Sequence, residues 1–402
     1  MELKKLKMKP VRIESIEQYH ALLRYVFQVT NRRLSKVDWK EKELIQAKFP
    51  TMQKADVIGW FDGDNLVSQV VVYPMNVQVY KTVYPMGGLT GVGTYPEYSG
   101  KGLMYKLLEQ ALKTMREKGQ YICYLYPYSI PYYRKKGWEI ISDKITYEIH
   151  DYQLPQNRQV PGFVRRVKPA GKEIKEIYAR YAAHTHGAVL RDELAWNEYF
   201  LWDPDDLMAA VYYNEEDEPE GYVIYQIAEE VFYIKDMIFN TEEARTGLWN
   251  FVSAHFSMIN KVIGNTYTDE PLAFLFEDAS IKETISPYYM ARIVDFSRFI
   301  ERFPFKSSTL ERRWKFKLTD PIMECNQGTF LLEIDRNGQA KATKTADRCE
   351  DTISIQTMTT MLMGYKRPEY LVKIGRLKAS AETVDMLEDA IEQQTPYISD
   401  YF

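Results

Sequence analysis

The sequence predicts three consecutive segments, of which the first two are mixed α/β and the third is α+β. Its 402 residues exceed what a single hydrophobic core usually contains, so two or three domains are expected. Strand-like and helix-like periodicities of apolar residues alternate up to about residue 290. From about residue 296, alternating apolar and polar residues flank an Asn337-Gly338 turn, which indicates antiparallel strands, and helical patterns follow.

The first segment, to about residue 150, is predicted to be an α/β unit. We expect, in order, a helix within 14–30, two strands within 57–80 joined by a hairpin at Asp62–Asn65, a strand that ends near Thr94, a helix from Leu103 to about Lys118, and a strand over 121–126. Apolar residues of the second helix recur every three or four positions, which indicates that one face packs on a sheet.

The second segment, about 151–290, repeats this order loosely. Strands are predicted at 207–213, 221–228 and 231–239, followed by a helix with Ala244, Leu248, Val252 and Phe256 on one side. Thr241, Glu242 and Glu243 stand at the start of that helix. Acidic residues there satisfy the helix dipole internally and repel a phosphate, so we expect no cofactor site in this segment.

The third segment is predicted to combine antiparallel strands with helices. We expect strands at 312–320 and within 328–345, a helix over 354–365 that Gly364 ends, and a helix over 380–394 that Ser380 begins.

Composition excludes several classes of protein. The formal net charge is −4, from 52 basic and 56 acidic residues, so neither nucleic acid nor an anionic membrane is expected as a partner, and a cationic substrate is more natural. The three cysteines form no CxxC pair, which argues against a disulfide framework or a thiolate zinc site. The amino terminus lacks a signal-type apolar run, and we expect a soluble cytoplasmic protein without a metal.

The stretch GVGTYPEYSGKGLMYKLL, residues 91–108, places Gly100, Lys101 and Gly102 directly before a helix. The first N–H groups of a helix lack intrahelical partners and attract anions, and glycines let the backbone approach a phosphate closely. Residues 98–105 are therefore a candidate pyrophosphate site, with an ordinary strand-to-helix turn as the alternative. No GxxxxGK[ST] motif is present, which excludes a Walker-type phosphate loop.

This stretch resembles the acetyl-coenzyme A signature of the GNAT acetyltransferase superfamily, [RQ]xxGx[GA] after a strand. Two positions depart from the signature: Ser99 stands where Arg or Gln is usual, and Met104 where Gly or Ala is usual. The wider pattern of YPYSIPYYRKKGWEI, HGAVLRDELAW, ARIVDF and a terminal Phe402 resembles the Eis (enhanced intracellular survival) acetyltransferases over essentially the whole chain.

The Eis resemblance implies two GNAT-like domains and a third domain like sterol carrier protein. It implies an acetyl-CoA-binding GNAT domain at 1–150, a central GNAT-like domain without a cofactor site at 151–293, and the sterol carrier protein-like domain at 294–402. The implied activity is transfer of an acetyl group from acetyl-CoA to primary amines of aminoglycoside-like polyamines or to protein lysines, without a metal. A homo-oligomer, specifically a hexamer, is also implied.

The resemblance also implies which residues bind the cofactor. Val92, Gly93 and Thr94 at the strand end hydrogen-bond the pantetheine arm and offer an N–H to the thioester oxygen. The pyrophosphate is held by Gly100, Lys101, Gly102, Leu103, Met104 and Tyr105. Tyr128 and Ser129 are expected beside the cofactor.

Two further residues are implied as catalytic. Tyr133, four residues ahead of Gly137, matches the family's proton donor; a phenol with a pKa of about 10 remains protonated at neutral pH. The terminal α-carboxylate, here that of Phe402, is the family's proton acceptor. Chain ends are usually disordered, but the aromatic ending TPYISDYF favours a docked tail.

Other chemically capable residues are given structural interpretations. His184 and His186 form an HxH pair without an evident third zinc ligand. Cys123 lies in a predicted strand and is expected to be a buried apolar residue. Arg292 and Asp295 are expected to form an interdomain ion pair, with a substrate-facing Asp295 as the alternative.

Three functions stay open at this stage. The first is N-acetylation of small-molecule amines, and the second is N-acetylation of protein lysines. The third is a non-catalytic scaffold, in which the departures at Ser99 and Met104 mark a lost cofactor site.

Overall fold

The computed structural model describes residues 6–30, 40–201, 206–268 and 272–402. The elements up to residue 140 are β1 (Leu6–Pro10), α1 (Ile16–Val26), α2 (Glu41–Ala47), α3 (Phe49–Lys54), β2 (Asp56–Asp62), β3 (Asn65–Val79), β4 (Thr82–Thr94), α4 (Leu103–Glu117), β5 (Ile122–Leu125), α5 (Ile130–Arg134) and β6 (Glu139–Ile140). Those from 143 to 293 are β7 (Asp143–His150), β8 (Phe163–Val167), α6 (Lys172–His184), α7 (Glu193–Phe200), β9 (Met208–Tyr213), β10 (Pro219–Ala228), β11 (Val231–Phe239), α8 (Glu242–Ser253), β12 (Lys261–Thr266), β13 (Lys282–Pro287) and β14 (Met290–Ile293). The remainder are α9 (Phe296–Ile300), β15 (Arg312–Thr319), β16 (Gly328–Ile334), β17 (Ala340–Thr345), β18 (Thr352–Ser354), α10 (Ile355–Leu362), α11 (Pro368–Lys373), β19 (Leu377–Lys378) and α12 (Ala381–Ala390).

The first sheet has the strand order β1-β2-β3-β4-β5-β14-β6. Its neighbouring strands are antiparallel except for β4 and β5, a parallel pair that the crossover helix α4 joins. The predicted hairpin at Asp62–Asn65 is confirmed between β2 and β3, and the predicted helix is confirmed as α4. The apolar face of α4 is buried against this sheet, as its periodicity predicts.

The second sheet, ordered β13-β7-β12-β11-β10-β9-β8, repeats the arrangement with β11 and β12 as its parallel pair around α8. The three strands predicted in this segment are confirmed as β9, β10 and β11. The helix is one turn shorter than predicted: it ends at Ser253, where the chain turns toward β12, and Phe256 is 66% exposed. The prediction that Phe256 lies on the buried side of the helix is therefore wrong.

The two sheets exchange strands. Strand β7 directly follows the first-sheet strand β6 but pairs with β12 and β13 in the second sheet. Strand β14 returns to the first sheet and fills the place between β5 and β6. Neither sheet is therefore complete without a strand from the other sequence range.

The third sheet, ordered β17-β16-β15-β18-β19, forms an α+β unit with α10, α11 and α12. The side chains of Ser354 and Ser380 cap α10 and α12, and Gly364, with φ of +71°, follows α10. Helix α12 ends at Ala390 instead of reaching residue 394, because Ile391 is extended and buried at the start of a tail that enters the interior.

One buried apolar cluster joins all three sheets and holds residues as far apart as Tyr19, Ile174, Phe316 and Ile398. The predicted fold class, two mixed α/β units followed by an α+β unit, is confirmed. Within the described ranges, the helices are too short or too polar to span a lipid bilayer.

Candidate active site

A cavity of about 1150 Å³ opens where β4 and β5 separate. The two strands pair only over Met86–Gly88 and Ile122–Tyr124, whereas β4 continues to Thr94. Residues 89–94 line one wall, and residues between 126 and 136 line the opposite wall. Small-molecule pockets commonly measure about 300–1000 Å³, so this cavity has room for a nucleotide-bearing molecule together with a second, smaller one.

A bulge in β4 at Gly91 accompanies this separation. The pairing between β3 and β4 shifts register between Gln69 and Val71, and Gly91 has φ of +58°. A Cβ on Gly91 would lie 2.7 Å from Val71 Cγ2, so only glycine satisfies both the conformation and the space. The strand end 92–94 lies beyond the last β4–β5 pair and lines the cavity.

The glycine turn before α4 lines another part of the cavity. Gly100 and Gly102 both have φ of +74°, and a Cβ built on either meets nothing within 4 Å. Glycine is thus favoured by the backbone conformation, and the surrounding space is open. The first α-helical bond of α4 runs from Lys106 N to Gly102 O, at 3.2 Å, so the preceding amides are available to a ligand. Such a helix start is suited to phosphate groups.

The structure brings the predicted cofactor-binding residues around this cavity, apart from the side chain of Lys101. The lining includes Val92, Gly93, Thr94, Gly100, Gly102, Leu103, Met104, Tyr105, Tyr128 and Ser129. Lys101 instead directs Nζ to the Glu97 carbonyl, at 2.9 Å, and over the ring of Tyr98. The main chain of the turn, and not this lysine side chain, faces the cavity.

Tyr133 lines the cavity from α5 and is 6% exposed. Its ring packs edge to face against Tyr132 and Trp138, with centroid distances of 5.2 and 6.0 Å. Burial raises the pKa of the Tyr133 hydroxyl above its ordinary value. The phenol therefore stays protonated at neutral pH, which is the state that a proton donor requires.

Gly137 shapes the turn that follows Tyr133. It has φ of +98°, and a Cβ there would collide with Nη1 of the buried Arg292, which donates to the Lys136 carbonyl. Glycine at position 137 is therefore favoured by the backbone conformation and by the close approach of Arg292.

The predicted ion pair between Arg292 and Asp295 is wrong. Arg292, on β14, pairs with Asp320 at 2.6 Å, and both side chains are fully buried. Asp295 lies at the start of α9, accepts from Arg298 N, and pairs with Arg116 at 2.6 Å. The change from strand to helix between the two residues sends their side chains to different partners, and Asp295 does not line the cavity.

The chain end reaches the cavity from the third sheet. Residues 396–400 are buried, and Phe402 lines the cavity. The Phe402 ring packs against Tyr289 and Tyr73, with centroid distances of 5.5 and 6.4 Å. A Cβ on Gly88 would lie 2.8 Å from Phe402 Cε2, so glycine in β4 leaves room for this ring.

Sequence reasoning missed a charged pair in the lining. Lys48 Nζ lies 2.9 Å from Glu198 Oε2, and both side chains are 9% exposed. Thr51 Oγ1 also donates to Glu198, at 3.1 Å. The partners lie 150 positions apart, on segments that carry no motif, so the sequence offered no signal for the pair.

The histidines and Cys123 have structural roles. His186 is buried, accepts from Tyr80 N at Nδ1 and stacks on the Tyr80 ring; burial lowers its pKa to about 4, so it is neutral. His184 is exposed at the end of α6. Cys123 is buried in β5, and burial raises its pKa to about 12.

Among the described residues, no cluster of three or more His, Cys, Asp or Glu side chains is arranged to hold a metal ion.

The corresponding turn in the second sheet differs in its capping. Thr241 Oγ1 accepts from Ala244 N at 3.1 Å, and Glu242 and Glu243 occupy the first turn of α8. A side chain of the protein thus satisfies a helix-start amide there, and two carboxylates stand where an anion would bind.

Family comparisons agree with this architecture. Residues 7–141 and 187–293 each match an acetyltransferase (GNAT) domain, and residues 296–399 match a sterol carrier protein domain. N-acetyltransferase Eis of Mycobacterium tuberculosis is 21% identical over 335 residues, which cover 79% of this chain and 80% of that protein.

Solved structures with the same fold cover almost the whole chain. A probable N-acyltransferase of unknown function from Enterococcus faecalis V583 is 28% identical, with a TM-score of 0.90 over 99% of this chain and 100% of that chain. Eis1 from Mycobacterium abscessus is 16% identical, with a TM-score of 0.79 over 99% and 100% of the two chains. By its domains and relatives, the chain belongs to the Eis-like acetyltransferases of the GNAT superfamily, whose cosubstrate is acetyl-coenzyme A.

Proposed function

We propose that this chain transfers the acetyl group of acetyl-CoA to primary amines, with aminoglycoside-like polyamines as the acceptor class. The observation that carries the proposal is a single cavity lined by the glycine turn before α4, by Tyr133 and by Phe402. The turn suits binding of the cosubstrate phosphates, the protonated phenol suits donation of a proton, and the chain-end carboxylate suits acceptance of one.

In this proposal the main chain holds the cosubstrate. Amides of residues 100–105 bind the pyrophosphate, which makes the departure at Ser99 tolerable because few side-chain contacts are needed. The strand end 92–94 hydrogen-bonds the pantetheine arm and directs an N–H to the thioester oxygen, which gains negative charge in the transition state. Tyr128 and Ser129 contact the cofactor from the opposite wall.

Two groups of the chain then move protons. The Phe402 α-carboxylate accepts a proton from the acceptor ammonium, so that the neutral nitrogen can bond to the thioester carbon. As that bond forms and the carbon–sulfur bond breaks, the Tyr133 hydroxyl hydrogen-bonds the departing sulfur and supplies its proton. The ammonium gives up two protons in all, of which one ends on the CoA thiol and the other leaves to solvent.

Glu198 lines the cavity, and an acceptor ammonium that pairs with it must compete with Lys48. Lys48→Met removes the competing cation and leaves a nearly buried carboxylate that a bound ammonium can neutralise. We expect the KM for a polyamine acceptor to fall about tenfold with kcat almost unchanged. Steady-state kinetics with spermidine and with kanamycin measures this.

Lys54→Met is the matched control, because Lys54 lies 3.8 Å from Glu193 in an exposed pair. Its acceptor KM should equal that of the unmodified chain. A higher KM in Lys48→Met would contradict the assignment, since it would mean that Lys48 itself helps to bind the acceptor.

The decisive test combines calorimetry with an acceptor panel. We expect acetyl-CoA to bind, and aminoglycosides and polyamines to release CoA thiol at rates above those of lysine peptides. Absence of detectable acetyl-CoA binding would overturn the proposal in favour of the scaffold interpretation. Binding with acetylation of lysine peptides alone would replace only the acceptor class.

Protein lysines are the second candidate acceptor. The observation that favours them is Lys48, whose own side chain lies in the cavity lining against Glu198. A lysine side chain therefore fits the charge and the shape of this region.

The quaternary structure and location complete the proposal. Following the Eis resemblance, we propose a cytoplasmic homo-oligomer, specifically a hexamer. Light scattering coupled to size-exclusion chromatography measures the mass in solution, and a monomeric mass would contradict the hexamer.

A further inference from the structure

Specific contacts hold the last residues of the chain between the sheets. Tyr397 N donates to the His186 carbonyl at 2.8 Å, and Tyr288 OH donates to the Asp400 carbonyl at 2.8 Å. A Cβ on Gly187 would lie 2.5 Å from Pro396 Cβ, so glycine is needed for the tail to pass. The tail is therefore held by the central part of the chain, which lacks the glycine turn of the cavity.

Arg191 makes the charged contacts with this tail. Its Nε lies 2.7 Å from Asp400 Oδ1, and its Nη2 donates to Ser399 Oγ at 3.0 Å. The Arg191 side chain is fully buried, and that of Asp400 is 5% exposed. A charge-assisted bond in such a site is stronger and more directional than one at the surface.

Aromatic rings fix Arg191 itself. The guanidinium carbon lies 3.8 Å from the ring centroids of Tyr178 and Tyr199, and 4.7 Å from that of Trp196. Tyr178 OH also donates to Asp400 Oδ2 at 3.3 Å. Tyr199 OH in turn donates to the buried Asp236 at 3.0 Å. The arginine is thus a rigid part of the central domain and not a mobile surface side chain.

We propose that Arg191 is a positioning residue for acetyl transfer, because it clamps Ser399 and Asp400 and thereby sets where the Phe402 carboxylate lies in the cavity. This inference rests on the proposed function, in which that carboxylate is the proton acceptor. It gives the central domain, predicted to lack a cofactor site, a part in the reaction: it presents the end of the third domain to the first.

Chain geometry gives the size of the effect. Asp400 is two residues from Phe402, a reach of about 7 Å, whereas Tyr397 is five residues away, a reach of about 17 Å. Loss of every contact at Asp400 would enlarge the volume open to the carboxylate about 15-fold. The Tyr288 bond to the Asp400 carbonyl and the packing of the Phe402 ring remain when Arg191 is removed, so the effective concentration of the carboxylate at the acceptor falls by less than this limit.

The test is the double variant Arg191→Met with Asp400→Asn. Removing both charges together avoids leaving one partner of this ion pair buried without the other, and the buried Asp236 keeps its hydrogen bonds from Tyr199 and Tyr222. We expect kcat to fall several-fold, with about 15-fold as the upper limit, while the Kd for acetyl-CoA and the acceptor KM change by less than about twofold. Release of Phe402 by carboxypeptidase from the intact protein reports tail docking without reference to activity, and it should become faster.

The control is Arg312→Met with Asp389→Asn, which removes an ion pair of the third domain whose arginine is buried and whose aspartate is exposed. It should leave kcat and Phe402 release unchanged. If the main variant does not fold, Ser399→Ala is used in its place. We expect its kcat to be about threefold lower and its release of Phe402 to be faster.

Each alternative result has a distinct meaning. Unchanged kcat in the main variant overturns the positioning role, whether or not Phe402 is released faster. A chain extended by two glycines after Phe402 reports on the carboxylate itself. If the extended chain is inactive and the main variant is fully active, the positioning role fails while the proposed proton acceptor stands. If both are fully active, the proposed acceptor fails.

Discussion

Two glycines added after Phe402 are expected to reduce kcat by at least about 10²-fold while leaving the melting temperature and the Kd for acetyl-CoA unchanged. The extension converts the α-carboxylate of Phe402 into an amide, which cannot accept a proton. The preceding residues 396–400 remain buried in the same contacts, so the fold has no reason to change. CoA thiol release in single-turnover and steady-state assays measures the loss.

Phe402→Leu is the control for this extension, because it keeps the carboxylate and changes only the side chain that packs on Tyr289 and Tyr73. We expect it to lose activity less than about tenfold, through poorer packing of the chain end. If the extended chain retained full activity, a bound water or another side chain would have to accept the proton. Loss of activity together with loss of acetyl-CoA binding would instead indicate a blocked cavity.

The glycine turn and the helix after it could be predicted because their signals are local. Helical periodicity from Leu103 to Met115 defined the buried face of α4, and Gly100 and Gly102 marked the left-handed backbone conformation at its start. Thr241 was likewise recognisable as the cap of α8 from its position alone. In each case residues within about four positions determine the local backbone structure, so it can be predicted from a single sequence.

The rest of the cavity depends on pairs that are distant in sequence. Glu198 meets Lys48 from 150 positions away, and Asp400 meets Arg191 from 209 positions away. Buried charges need a partner, but periodicity does not say which one. The exchange of β7 and β14 between the sheets could not be predicted for the same reason. A strand is recognised from its own residues, but its pairing partner lies far away in the sequence.

Proximity in sequence misled in one case. Arg292 and Asp295 are three residues apart and opposite in charge, which favours a pair when both lie on one helix. Arg292 ends up in a central strand and Asp295 caps the following helix, so each finds another partner. The boundary between the two elements, and not the charge pattern, decided the outcome.

Tyr133→Phe is expected to lower kcat by about 10²-fold with little change in the Kd for acetyl-CoA. The substitution removes only a hydroxyl from a buried ring whose packing on Trp138 is apolar. Because burial raises the pKa of the Tyr133 hydroxyl, the phenol stays protonated and hydrogen-bonds the departing sulfur as negative charge develops on it, before its proton moves to that sulfur. Activity that depends on the protonated phenol should therefore persist to a pH above the ordinary tyrosine pKa of about 10 and fall only beyond it.

Tyr132→Phe separates this role from general packing, because Tyr132 lies beside Tyr133, lines the same cavity and holds Lys136 over its ring at 3.5 Å. Phenylalanine keeps that ring, so kcat should change by less than about threefold. An equal loss in both variants would point to disturbed packing of α5. Full activity in Tyr133→Phe would mean that the departing sulfur takes its proton from solvent. The raised pKa of Tyr133 would then be a consequence of burial alone, as it is for other buried tyrosines such as Tyr124 and Tyr147.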